Sequence, residues 1–240
     1  MISVQQHYET HLAPVYLWMA GGLEHALALG AADVAPFVDR PGLAVDLGAG
    51  FGMHSLPLAR AGFRVLAVDT SRHLLAELQQ HAAGLQVQTV EADLVKFAAH
   101  LSGPADLVLC MGDTLTHLGS RAQVERLLHT VAGALAPGGR FVATFRDYRH
   151  LPEGDARFIA VRSGALRIHT CFLEEQGDRV QVHDVLHERP SEDAPWQMRV
   201  SSYLKLRLAP EWLIAQAQSS GLRCQVGPGP LGMLQLVAQP

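Results

Sequence analysis

A doubly wound α/β fold with a mostly parallel sheet is what this sequence predicts, on three observations. Short apolar runs alternate with helical patterns between about residues 43 and 146. A glycine-rich loop follows the first of those runs, and an alternating segment after residue 150 interrupts the pattern before one more helix and two more strands. Composition agrees with a folded chain throughout: 240 residues, 48% of them hydrophobic and 18% charged, with no long polar run.

Residues 4–38 read as a helical cap, with Tyr8, Leu12, Val15, Tyr16, Leu23, Ala26, Leu27 and Val34 spaced for packing. Strands follow at Leu43–Leu47, Arg64–Val68, Leu85–Val90, Asp106–Cys110 and Arg140–Phe145. Each is rich in Val, Leu or Ala, as expected of strands covered by helices on both faces. Helices are expected near 53–61, 71–82, 94–101 and 120–135, with Ser71 as an N-cap and Pro137-Gly138-Gly139 as a stop. Beyond residue 150 the alternation of 157–162, 166–173, 179–187 and 198–208 predicts antiparallel strands, the second and third joined by a turn at Gln176-Gly177-Asp178. Pro210 opens a helix through Ser219, and strands near 222–226 and 233–238 complete a seven-stranded sheet. The expected organisation is one domain over 1–240: a cap (1–40), a ligand-binding core (41–150), an antiparallel insertion after the fifth strand (151–208), and a final helix with two core strands (209–240).

A formal net charge of −4 and the lack of a Lys/Arg cluster disfavour nucleic acid as a partner, because affinity for it is built from neutralised phosphates. Three widely separated cysteines make no disulfide framework and fit a reducing, cytoplasmic location. No stretch approaches roughly 18 apolar residues, so no membrane span is expected. The histidines are many but scattered along the chain, with no Cys-x-x-Cys beside them, so no metal is expected.

The most informative segment is Val45-Asp46-Leu47-Gly48-Ala49-Gly50-Phe51-Gly52, between a predicted strand and a predicted helix, at the edge where open parallel sheets bind ligands. A dinucleotide fingerprint wants a third glycine where Met53 stands. Asp46 beside the loop would repel a pyrophosphate but suits a ligand carrying a sulfonium and an ammonium.

This segment resembles motif I of the class I (Rossmann-like) methyltransferases that use S-adenosylmethionine (SAM), and the resemblance covers roughly residues 40–147. It implies a cofactor site of Asp46, Gly48, Ala49, Gly50, Phe51 and Gly52, with Asp69 and the adjoining Thr70 at the ribose. Asp93 and Leu94 would serve the adenine, and Met111 the methionine moiety. Tyr8 and Tyr16 of the cap would close over the cofactor, or simply pack in the core. S-adenosylhomocysteine (SAH) would be the product.

The segment Cys110 to Leu118 is similar to that of glycine N-methyltransferase-like small-molecule enzymes. The acceptor atom, N or O, stays open. So do the roles of the three candidate catalytic residues. Asp113 is either an amine partner or base, or the N-cap of the next helix. His117 is either a general base or a structural histidine. Arg146 either holds a substrate carboxylate or makes a surface ion pair. Asn/Asp-Pro-Pro-Tyr and Pro-Cys signatures are missing, which points to a small-molecule acceptor rather than a nucleobase. The insertion would wall the acceptor pocket or form a homodimer interface. Two alternatives remain: an NAD(P)-dependent oxidoreductase, and a SAM-binding protein without turnover.

Overall fold

The computed structural model describes residues 2–240. Seven strands form one sheet in the order β10-β11-β5-β4-β1-β2-β3, built from β1 (Leu43–Leu47), β2 (Arg64–Asp69), β3 (Val87–Glu91), β4 (Ala105–Cys110), β5 (Leu135–Phe145), β10 (Arg223–Pro228) and β11 (Leu234–Gln239). Strands β1 to β5 run parallel, and β11 is antiparallel to both of its neighbours. The strand order reverses between β1 and β4, which opens a crevice at their carboxyl ends.

Both faces of the sheet are covered, as the continuous apolar runs require. One core gathers Val45, Leu47, Val108, Phe141 and Phe145 under α6 (Arg121–Ala134) and α7 (Pro210–Ser219). The other gathers Ala44, Leu56, Phe63, Leu78 and Leu109 under α3 (Leu23–Val34), α4 (Ser55–Arg60) and α5 (Arg72–His81). Ser71 caps α5, its hydroxyl accepting from Leu74 N–H, as predicted from sequence. The segment Leu94–His100 is a 3-10 rather than an α-helix. The expected stop at Pro137-Gly138-Gly139 instead lies within β5, which begins at Leu135.

The insertion is a separate antiparallel sheet of β6 (Phe158–Ser163), β7 (Arg167–Gln176), β8 (Arg179–Glu188) and β9 (Gln197–Leu206), in that order. Its inner face, with Val180, Val182, Tyr203 and Leu173 buried, meets the N-terminal helix. That helix is continuous in path but not in type: α1 (Val4–His7), a π-helical turn (Tyr8–Leu12), then α2 (Ala13–Met19). Pro14 accounts for the change. It donates no N–H and its ring crowds the carbonyl four residues back, so Ala13 N–H bonds Tyr8 O, five residues back. Gly21 and Gly22, at φ 91° and 90°, then break the chain before α3, so the cap is two helices rather than one. Among the described residues no helix is long and apolar enough to cross a membrane.

Candidate active site

The carboxyl ends of β1 to β5, the N-terminal helix and the inner face of the insertion enclose one cavity of about 1600 Å³. This exceeds the roughly 300–1,000 Å³ of a single-ligand pocket. Of the residues singled out from sequence, Gly48, Ala49, Gly50, Phe51, Asp69, Thr70, Asp93, Leu94, Met111, Asp113, His117, Arg146, Tyr8 and Tyr16 all line it.

Two do not, and each has a physical reason. Asp46 points into the protein and is 1% exposed; its Oδ2 accepts the Ser55 hydroxyl at 2.6 Å and braces the start of α4. Burial pushes its carboxyl up. The expectation that Asp46 faces the ligand is therefore corrected. Gly52 packs away from the cavity, where a Cβ would stand 2.3 Å from Leu78 Cδ1, so it keeps the loop tight against α5.

At the β1–β3 end, Asp69 organises the loop. Its Oδ2 accepts from Gly50 N–H and its Oδ1 from Ser71 N–H, both at 2.8 Å, leaving each oxygen one free lone pair toward the cavity. Burial pushes its carboxyl up, against those hydrogen bonds. Asp93 has Oδ1 on Val95 N–H at 3.1 Å and is otherwise exposed. This end of the cavity carries Asp69, Asp93 and Glu91, the last paired with Arg72 Nε at 3.0 Å, so the edge keeps an acidic balance. An acidic edge fits a cationic nucleoside better than a pyrophosphate.

The N-terminal helix closes over this edge. Glu9 accepts from the Ser71 hydroxyl at 2.6 Å, and Gln5 Nε2 donates to Thr70 O at 3.2 Å. The π turn carries Tyr8, whose ring centroid lies 5.4 Å from His117, 5.9 Å from Tyr16 and 6.1 Å from Tyr203. Burial pushes the hydroxyls of Tyr8, Tyr16 and Tyr203 up, so all three are neutral phenols.

Asp113 is committed elsewhere. It sits in the left-handed region at φ 70° and makes no side-chain cap to the 3-10 turn Thr114–His117. Its Oδ1 accepts Arg146 N–H at 2.8 Å, and its Oδ2 accepts both the Tyr148 hydroxyl and Lys205 Nζ at 2.7 Å. Burial opposes its ionisation, but Lys205 overcomes this and holds the carboxyl below its ordinary range. The carboxylate thus pins the loops after β4 and β5 to β9; the N-cap reading of Asp113 is corrected, and its oxygens are already engaged where the other reading had it meet an amine or take a proton.

His117, on that pinned turn, has its Nε2 buried without a partner. Burial, and then Lys205, lower its pKa to about 3. It is a neutral imidazole facing the cavity. Arg146 is exposed at the rim, with Nη1 donating to Leu231 O at 3.4 Å.

Sequence reasoning missed Tyr148, Lys205, Tyr203 and the cluster of His7, His11, His169 and Asp184. The signal was present in strand phase. In β8 the inward positions Val180, Val182, Asp184 and Leu186 alternate with outward ones, so Asp184 stands in an apolar register.

Residues 44–139 match the model of a family described as a methyltransferase domain. The chain is 30% identical over 122 residues to a glycine/sarcosine N-methyltransferase of Parasynechococcus marenigrum, across 50% of this chain and 42% of that one. It is 38% identical over 125 residues to a ubiquinone biosynthesis O-methyltransferase of Caulobacter vibrioides, across 50% of this chain and 48% of that one. The match spans less than half the length of either relative. Among solved structures, DesVI of Streptomyces venezuelae superposes with a TM-score of 0.76 at 20% identity, over 97% of this chain and all of that one. The CcbJ methyltransferase of Streptomyces caelestis gives 0.75 at 21%, over 97% of both.

Proposed function

We propose that this chain, a class I methyltransferase by its fold and its methyltransferase domain, transfers the methyl group of SAM to the nitrogen of a small-molecule amine. SAM supplies an electrophilic methyl group on a sulfonium and leaves as SAH. The acidic edge of Asp69, Glu91 and Asp93, whose neighbouring cation Arg72 is already paired with Glu91, suits the sulfonium and gives no free counter-charge to a dinucleotide, so the oxidoreductase alternative finds no support. Asp69 would hold the ribose hydroxyls, Asp93 and Leu94 the adenine, and the loop 48–51 with Met111 the remainder. Tyr8, Tyr16 and Tyr203 would line the space around the sulfonium, where aromatic faces attract a cation and exclude water.

The choice of nitrogen over oxygen rests on His117. A hydroxyl must shed its proton to attack, which needs a competent base; a free amine already has its lone pair. An imidazole with a pKa of about 3 takes up a proton poorly, yet its bare nitrogen accepts a hydrogen bond from an amine N–H and aims the lone pair at the methyl group. In support, one relative is a glycine/sarcosine N-methyltransferase, and another structural neighbour is a sugar N-methyltransferase.

Incubation with SAM and a panel of primary and secondary amines is expected to form SAH. His117→Phe should lower kcat by about 10- to 100-fold through misalignment, with SAM affinity unchanged. Turnover of phenols and not of amines would move the acceptor to oxygen. SAM binding with no turnover on either would favour the binding-protein alternative.

A homodimer through the insertion is part of the same proposal. The outer face of that sheet exposes Phe158 (59%), Met198 (63%) and Val200 (51%), beside Ile168. Three ten-residue strands and one shorter strand give a sheet face of about 33 by 19 Å, on the order of 600 Å² in projection, on which these apolar side chains stand among polar ones such as Gln181, His183 and Ser202. That approaches the roughly 800 Å² per partner of a stable interface, and a second copy offers the same face to cover the exposed hydrophobics. Light scattering should give twice the 26.0 kDa chain mass, and Met198→Glu with Val200→Glu should give a monomer. A monomeric parent protein would refute it.

A further inference from the structure

Behind the aromatic group lies a second polar cluster whose protons can be assigned from geometry alone. Asp184, inward on β8, is 4% exposed. Its Oδ2 lies 2.9 Å from His7 Nε2 and its Oδ1 2.8 Å from His169 Nε2. Burial opposes its ionisation, but the hydrogen bonds from His169 and His7 overcome this and hold the carboxyl below the ordinary range. A carboxylate only accepts, so both facing nitrogens carry protons. His11 Nε2 lies 3.0 Å from Asp184 O, also an acceptor, and so is protonated too. His7 Nδ1, 2.7 Å from Ser201 Oγ, then accepts the serine hydroxyl when the ring is neutral.

After this assignment one buried side-chain atom of the cluster is left over. His169 Nδ1 has no partner, on a residue that is 2% exposed and lines the same cavity as His117. Its other nitrogen is committed as a donor to Asp184, so in the neutral ring Nδ1 is a bare lone pair. A carboxylate that orients an imidazole with one nitrogen free is an arrangement for meeting a donor. It is not a metal site: among the described residues no three His, Cys, Asp or Glu are grouped to hold one.

We propose that His169 is an acceptor-binding residue: its Nδ1 takes a hydrogen bond from a hydroxyl that the methyl acceptor carries besides the methylated nitrogen, so the acceptor class is hydroxylated amines. This rests on the methyl-transfer reading above. A hydroxyl fits better than a second ammonium, because it is an uncharged donor, and both oxygens of Asp184 already accept from histidines and offer no direct partner to a further buried cation. His117 and His169 then read two different groups of one ligand from two walls of the cavity.

The test uses the full chain saturated with SAH and two kinds of probe, the isomeric 2-, 3- and 4-aminocyclohexanols and cyclohexylamine. At least one aminocyclohexanol should bind about tenfold more tightly than cyclohexylamine and shift the His169 Nδ1 resonance in imidazole nitrogen NMR spectra. His169→Phe should abolish that preference while leaving SAH affinity unchanged, and His169→Gln, which keeps an acceptor oxygen, should retain part of it. Equal binding of all the amines, or a preference that survives His169→Phe, overturns the proposal. Absence of SAH binding by the parent protein is a separate result, which overturns the methyl-transfer reading and this inference together.

Discussion

Asp113→Ala is expected to destabilise the protein by about 3–5 kcal/mol, the range for removing one partner of a buried ion pair. For a domain of this size that lowers Tm by roughly 6–20 °C. The magnitude follows from what is left behind. Lys205, 9% exposed and with its pKa raised well above normal by Asp113 against burial, would lose the carboxylate that offsets its desolvation, while the Tyr148 hydroxyl and Arg146 N–H would lose their acceptor. Thermal melts of a double-mutant cycle separate the causes. Asp113→Ala with Lys205→Met should be less damaging than Asp113→Ala alone, because no orphaned charge remains. A single variant within about 1 kcal/mol of the parent would mean that water reaches Lys205 freely.

The second large effect concerns the cofactor. Asp69→Ala should weaken SAM binding by about 1.5–3 kcal/mol, the worth of hydrogen bonds to a charged group, or roughly ten- to 150-fold in Kd by calorimetry. Because Asp69 also holds Gly50 N–H and Ser71 N–H, Asp69→Asn, which keeps one acceptor oxygen, should lose less. Unchanged affinity in Asp69→Ala would reduce this residue to a turn brace.

The sequence carried the sheet and its ligand edge well, and the reason is local. Strands β1, β2 and β4 and the second half of β5 are apolar runs with helices between them, so they are legible from their own residues, and the edge follows from where those runs stop; β3, half polar at the sheet margin, is legible mainly from its place in the alternation. The acceptor side was less legible because its chemistry is assembled from distant positions. Asp113 sits 92 residues from Lys205, and His7 sits 177 residues from Asp184. No spacing rule links such pairs. Asp46 was misread for the opposite reason: its place beside the glycines is plain in sequence, but strand phase turns its side chain inward to Ser55. Likewise a residue before a helical turn suggests an N-cap, yet a left-handed backbone at Asp113 swings the carboxylate away from that turn.

The first helix grips two partners at once. One face bonds Thr70 and Ser71 at the nucleoside edge through Gln5 and Glu9, and the other bonds Asp184 and Ser201 in the acceptor wall through His7 and His11. Its seat on the edge and its seat on the wall thus belong to one helical segment ahead of the Gly21-Gly22 break. A ligand that ordered the helix on one side would meet, in advance, part of the ordering entropy of the other, and calorimetry is expected to show the two compartments linked. Such linkage would be reciprocal, raising the affinity of each site for its ligand by the same factor when the other is filled.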